Sequence, residues 1–244
     1  MRRVLIVSML LLLLLTACTS EAAPTEESSE VSDQPTSTLA PAESSPAAVA
    51  MGPAEEAVIK QLAMNLGLQE TDITVTSSEE TEFSDACLGV AMEGVMCDQA
   101  ITPGRIILLE ANGVQYEYHA NEDGSRVQPA SLALVWKREG GIAGFCDTLT
   151  VFRSGEVFAS KCASQAEGTM GSLAALLTAK EQQQFDEWIT EFGETKLDAS
   201  DPKGVADRMV VTLELFGSAG AEPTETEQQA LFEFAQEMYQ ELAK

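Results

Sequence analysis

The chain has 244 residues, 45% of them hydrophobic but only 6% aromatic, so any core must be mostly aliphatic. Its net charge of −25 gives a surface that repels phosphate backbones, which argues against nucleic acid as a partner. The plain reading of that acidity is solubility at a cell surface.

Arg2 and Arg3 precede an apolar run from Val4 to Leu15, interrupted only by Ser8, and Leu15-Thr16-Ala17-Cys18 closes it. A basic start, a short apolar segment and a small residue before cysteine make a signal peptide over residues 1–17. The pattern resembles the lipobox of bacterial lipoproteins. That resemblance implies cleavage before Cys18, lipidation of Cys18 and attachment to a bilayer outside the cytoplasm. Thr19 is not an aspartate-type retention signal, which leaves outer-membrane sorting open. Removal of Met1–Ala17 takes away two arginines and no acids, leaving 12 basic against 39 acidic residues, or −27.

Residues 18–52 hold the lipidated cysteine and a tether rich in Ser, Thr, Pro, Ala and Glu, without an aromatic residue. Such a stretch cannot bury enough apolar surface to offset chain entropy, so it is expected to be disordered. Its role is reach from the membrane.

Beyond the tether, roughly 190 residues suffice for one large or two small domains. We read two α+β domains, 53–129 and 130–244, each an antiparallel sheet packed against helices. In the first, Pro53 suits an opening helical turn. Val58, Leu62 and Leu66 form one stripe, and Gly67 ends the helix. Asp72–Thr76 reads as a strand, followed by a loop that carries Cys87 and Cys97 and is punctuated by Pro103-Gly104. Asn112-Gly113 is a type I′ turn signal between Arg105–Ala111 and Val114–His119. The implied register sets Ala111 against Val114, Leu109 against Tyr116 and Ile107 against Tyr118, an apolar face for a core. The element order is like that of cystatin or PepSY domains.

Val127–Ser131 lead into the second domain, which opens with a strand, Leu132–Lys137. Arg153-Ser154-Gly155 then reads as a three-residue hairpin loop with glycine in the left-handed position. That register sets Val151 against Val157, Leu149 against Ala159, Asp147 against Lys161 and Cys146 against Cys162. Thr178 and Glu181 form a capping box before the stripe Phe185, Trp188, Ile189 and Phe192, which Gly193 stops. Asp207–Phe216 alternates as a strand. Thr224 and Glu227 cap a last helix, with Leu231, Phe234, Ala235, Met238 and Leu242 on its buried face.

With Cys18 assigned to lipid, four cysteines remain in an exported chain, which suggests two disulfides. Three connectivities are open. Sequence proximity favours Cys87–Cys97 and Cys146–Cys162, and the hairpin register supports the second. Closing that loop contributes about 3 kcal/mol in the chain-entropy model.

Two resemblances attach to particular residues. Asp85-Ala86-Cys87-Leu88-Gly89, Thr102-Pro103-Gly104 and Tyr116-Glu117-Tyr118-His119 resemble a module of exported bacterial proteins without an assigned activity. Arg138-Glu139-Gly140-Gly141-Ile142-Ala143-Gly144, opening a hairpin before helix, strand and helix, resembles emfourin, a small bacterial inhibitor of thermolysin-like metallopeptidases. The chain departs from that family in its Cys146/Cys162 pair, and no inhibitory residue maps across. The resemblance implies binding to a peptidase, with Arg138, Gly140, Gly141 and Gly144 as candidate binding residues.

No catalytic motif stands out, so no enzyme, metal or cofactor is expected. His119 is the single histidine and lacks partner ligands. No Gly-x-Ser-x-Gly elbow accompanies it. The glycines after Arg138 precede a strand, not the helix N-terminus a phosphate cradle needs. Glu122 and Asp123 lack calcium-loop spacing. Trp136 and Trp188 sit in apolar patterns that suit a core. The expected function is a membrane-anchored protein- or peptide-binding module, in one form a peptidase inhibitor. The alternatives are an accessory envelope lipoprotein without a tight ligand and a hydrolase using paired carboxylates.

Overall fold

The computed structural model describes residues 49–92, 96–161 and 173–243. The signal, Cys18 and nearly all of the tether lie outside them. Helix α1, Pro53–Leu66, has Pro53 at its first position and ends on Gly67 at φ 65°. The Glu55 carboxylate accepts the Gly52 N–H at 2.9 Å and so caps the first turn. Ala54, Val58, Leu62 and Ala63 make the buried stripe.

A single 3-10 turn, Glu70–Asp72, leads into β1 (Ile73–Phe83), β2 (Thr102–Ala111), β3 (Val114–Asn121) and β4 (Val127–Pro129). They form an antiparallel sheet in the order β1-β2-β3-β4. The β2–β3 register is the expected one, Ala111 to Val114, Leu109 to Tyr116 and Ile107 to Tyr118. Asn112 and Gly113 both take positive φ, as a type I′ turn requires. Three expectations change. β1 does not stop at Thr76 but continues to Phe83, because a half-exposed edge strand accepts Ser, Thr and Glu without apolar alternation. Pro103-Gly104 is no loop but the start of β2, where a Cβ on Gly104 would stand 2.2 Å from the Ala120 carbonyl oxygen. Val127–Pro129, expected only as the lead into the second domain, is a strand, the last of the first sheet and within the bounds expected of the first domain.

The second sheet contains β5 (Leu132–Gly140), β6 (Phe145–Phe152), β7 (Glu156–Lys161), β8 (Leu173–Leu176), β9 (Glu194–Asp198) and β10 (Met209–Phe216). Its order is β8-β7-β6-β5-β10-β9, antiparallel throughout. Helix α2, Ala179–Glu191, lies between β8 and β9 in sequence, and α3, Glu225–Leu242, follows β10. Both capping boxes form, Thr178 with Glu181 and Thr224 with Glu227. The β6–β7 register is as expected from Val151–Val157 to Asp147–Lys161, and Gly155 takes φ 87°. Strands β8 and β9 are additions to the expected order. One reads Leu-Ala-Ala-Leu and the other is mostly polar, so neither carries an alternation. On α3, Tyr239 takes the buried place expected of Leu242, which is only half-buried.

The fold is thus α+β, with two antiparallel sheets and two cores. One core joins α1 to Ile107, Leu109, Tyr116 and Tyr118. The other joins Phe185, Trp188 and Phe234 of the two later helices to Trp136, Leu149 and Leu213. The described residues form one compact unit. The Tyr118 hydroxyl of the first sheet donates to the Glu156 carboxylate of the second, 3.1 and 3.2 Å from its two oxygens. Cys87 and Cys97 form a disulfide with Cα atoms 5.6 Å apart. Cys146 is disulfide-bonded. Cys162, its expected partner, lies outside the described residues. Among the described residues no helix is long and apolar enough to cross a membrane.

Candidate functional site at a hairpin tip

The register across the second sheet brings three charged residues into one row. Arg138 of β5 faces Asp147 of β6, and Asp147 faces Lys161 of β7. The next row inward, Trp136, Leu149 and Ala159, is core. Side chains on one sheet face alternate along each strand, so the charged row shares the helix-covered face of that core. Tyr239 of α3 closes over it.

Asp147 is the centre. One carboxylate oxygen accepts from Arg138 Nε at 3.0 Å and Nη2 at 2.5 Å. The other accepts from the Tyr239 hydroxyl at 2.5 Å. The Arg138 guanidinium also lies 4.1 Å from the Phe145 ring centroid and 5.5 Å from that of Trp136, within cation–π range. Burial, helped by the adjoining Asp147 carboxylate, pushes the Tyr239 phenol well above its ordinary range. Arg138 is therefore no free surface cation. Its charge is spent on holding the base of the β5–β6 hairpin.

The glycines shape what that base supports. The Gly144 N–H bonds the Gly141 carbonyl at 3.0 Å, closing a turn with Ile142 and Ala143 at its centre. Gly140, Gly141 and Gly144 all have positive φ. A Cβ on Gly140 would meet the Arg208 carbonyl oxygen at 2.4 Å, and Gly141 donates to that same oxygen at 3.2 Å. The backbone of the tip is thus pinned against the start of β10. Ile142 stands at the turn with 92% of its surface exposed. At the base of the hairpin, a cavity of about 360 Å³ is lined by Arg138, Gly144, Phe145, Asp147, Lys161 and Tyr239. The four candidate binding residues converge at this corner, and Ile142, Asp147 and Tyr239 join them. Ile142 was legible only as part of a glycine run, and Tyr239 had no local signal.

The remaining candidates resolve as supports. His119 Nδ1 donates to the Leu88 carbonyl at 2.6 Å, Nε2 lies 2.9 Å from Glu117 Oε1, and the ring stacks on Phe83 at 5.0 Å. Asp85 Oδ1 accepts the N–H groups of Cys87 and Gly89 at 2.8 and 3.2 Å. Arg126 donates to the Ala86 carbonyl. Together these fasten the Cys87–Cys97 loop to the first sheet. Asp85 and the two sulfurs cluster closely, but sulfurs joined in a disulfide offer no thiolate to a metal. Asp123 accepts the Ser125 N–H within its own turn, and bonding by Ser125 lowers its pKa. Trp136 and Trp188 are core.

Residues 55–129 match the model of a family described as a domain of unknown function, DUF8738. The matched stretch runs from α1 through β4 and includes the fastened loop. No curated protein and no solved structure matches the chain.

Proposed function

We propose that the protein is a lipid-anchored, extracytoplasmic binding module whose β5–β6 tip seats on a protein partner, with metallopeptidase inhibition as the activity to test. The observation that carries this reading is Ile142, almost wholly exposed on a backbone clamped by Arg208 and by the Arg138–Asp147–Tyr239 cluster. A large apolar side chain on a rigid tip loses little conformational freedom on docking, which favours affinity. Interface energy concentrates in a few such anchors. The lipobox-like Leu15-Thr16-Ala17-Cys18 supports the anchor, and the long polar stretch behind it supports reach.

Two experiments test the parts separately. Cys18→Ala should release the protein from the membrane fraction; continued membrane association would remove the anchor. Thermolysin and other secreted metallopeptidases, incubated with the chain, should include at least one that loses activity at stoichiometric ratio. Full residual activity across the panel would sink the inhibitor reading.

A further inference from the structure

A second surface lies far from the tip in topology. β4 is the last strand of one sheet and β8 the first of the other, and no described residue pairs with the outer edge of either. Both edges line one cleft of about 440 Å³, with Val127, Gln128 and Pro129 on one side and Ala174 and Leu176 on the other. Glu156 also lines it. The strand registers show why the two edges meet. Tyr118 faces Pro129 across one ladder, and Glu156 faces Leu176 across the other. The Tyr118–Glu156 hydrogen bond therefore holds the sheets together one strand inward from each edge.

No described residue bonds the backbone of β8 on that side. Leu177 donates to the Gly155 carbonyl at 2.9 Å, and antiparallel ladders alternate, so Ala174 and Leu176 turn their N–H and C=O groups outward. Leu176 is 44% exposed. Pro129 blunts the opposite edge by removing a donor, which makes β8 the better template. Glu156 adds a charge. Its side chain is bonded to the Tyr118 and Ser154 hydroxyls, only 7% of the residue is exposed, and among the described residues it makes no ion pair. A buried carboxylate without a counter-charge is costly, and an arriving cation relieves the cost.

We propose that an extended peptide segment carrying Lys or Arg adds as a strand to the outer edge of β8, within the cleft between β8 and β4, with its cation directed to Glu156. Main-chain bonds to Ala174 and Leu176 supply affinity, and the carboxylate supplies selectivity, as in other strand-addition sites. This surface is separate from the hairpin tip and does not depend on it.

The test uses the full chain in detergent and two labelled acetylated peptides, Val-Thr-Val-Lys-Val-Thr-Val and its counterpart with Glu in place of Lys. The Lys peptide should bind saturably and about tenfold or more tighter than the Glu peptide. Amide exchange at Ala174 and Leu176 should slow on binding. Leu176→Pro removes an outward donor without touching the ladder to β7, so it should weaken binding while the thermal transition is kept. Glu156→Gln should abolish the Lys preference, and Ile142→Asp should change nothing. No saturable binding, equal affinity for the two peptides, undiminished binding by Leu176→Pro, or self-association of the chain through β8 would each overturn the proposal.

Discussion

Glu55 shows how much one buried carboxylate can organise. Its residue is 1% exposed, yet it caps α1 at Gly52, accepts from Ser78 at 2.5 Å and lies 3.1 Å from Arg105 Nε. Burial acts to raise its pKa, but the bonds from Ser78 and the backbone, with the Arg105 charge, outweigh it and the net shift is downward. A depressed carboxylate stabilises the fold above its unfolded-state pKa, and that contribution is lost as pH falls through the folded value. Glu55→Gln should therefore cost about 1–3 kcal/mol near neutrality, since it strands donors of α1, β1 and β2. The cost should shrink in acid. Urea melts at pH 7 and pH 3 measure it, and an equal loss at both would contradict this account. Glu156 has the opposite sign. Burial raises its pKa despite bonds from Ser154 and Tyr118, so its part in stability is fullest in acid and declines as pH rises through the folded value. Neither role was visible in the sequence. Glu55 and Glu156 look like any of 39 acids until the register shows what faces them.

At the scale of elements, the hairpins were the legible part, for a physical reason. Asn112-Gly113 and Gly155 fix turn type, turn type fixes register, and register fixes which side chains share a face. That chain of inference placed Asp147 opposite Lys161 correctly. Capping boxes at Thr178 and Thr224 marked helix starts equally well. Strands without such punctuation were missed. β8 is short and nearly uniform, and β9 is polar because it is an edge held by pairing to β10. The Arg138 corner was half legible: the glycines announced a tight turn, but Tyr239 reaches Asp147 from 92 residues away. The tip itself makes a clear prediction. Gly140→Ala forces a Cβ onto the Arg208 carbonyl at positive φ, so it should destabilise by about 1–3 kcal/mol and loosen the hairpin. Gly144→Ala has open space and should cost less, only the strain of its φ. Thermal melts of the two variants, ranked the other way, would refute the pinned-tip geometry.

For the whole molecule, charge is the dominant fact. The net charge is −25, and self-repulsion on that scale favours expanded states at low ionic strength. Raising sodium chloride from low to physiological concentration should therefore raise the melting temperature; a fall would mean that attractive pairs, such as Lys196 with Glu214, outweigh the repulsion. The same charge repels phosphate backbones, and the proposed partner is therefore a protein. What the partner meets is the central claim. Titrating the panel of secreted metallopeptidases, thermolysin among them, with the wild-type chain and with Ile142→Asp, and reading residual peptidase activity, tests it most directly. The account predicts a stoichiometric loss of activity with the wild type and at least about a tenfold weaker effect with the variant, as expected for removal of an interface anchor. Equal curves for the two proteins, or no inhibition by either, would contradict it.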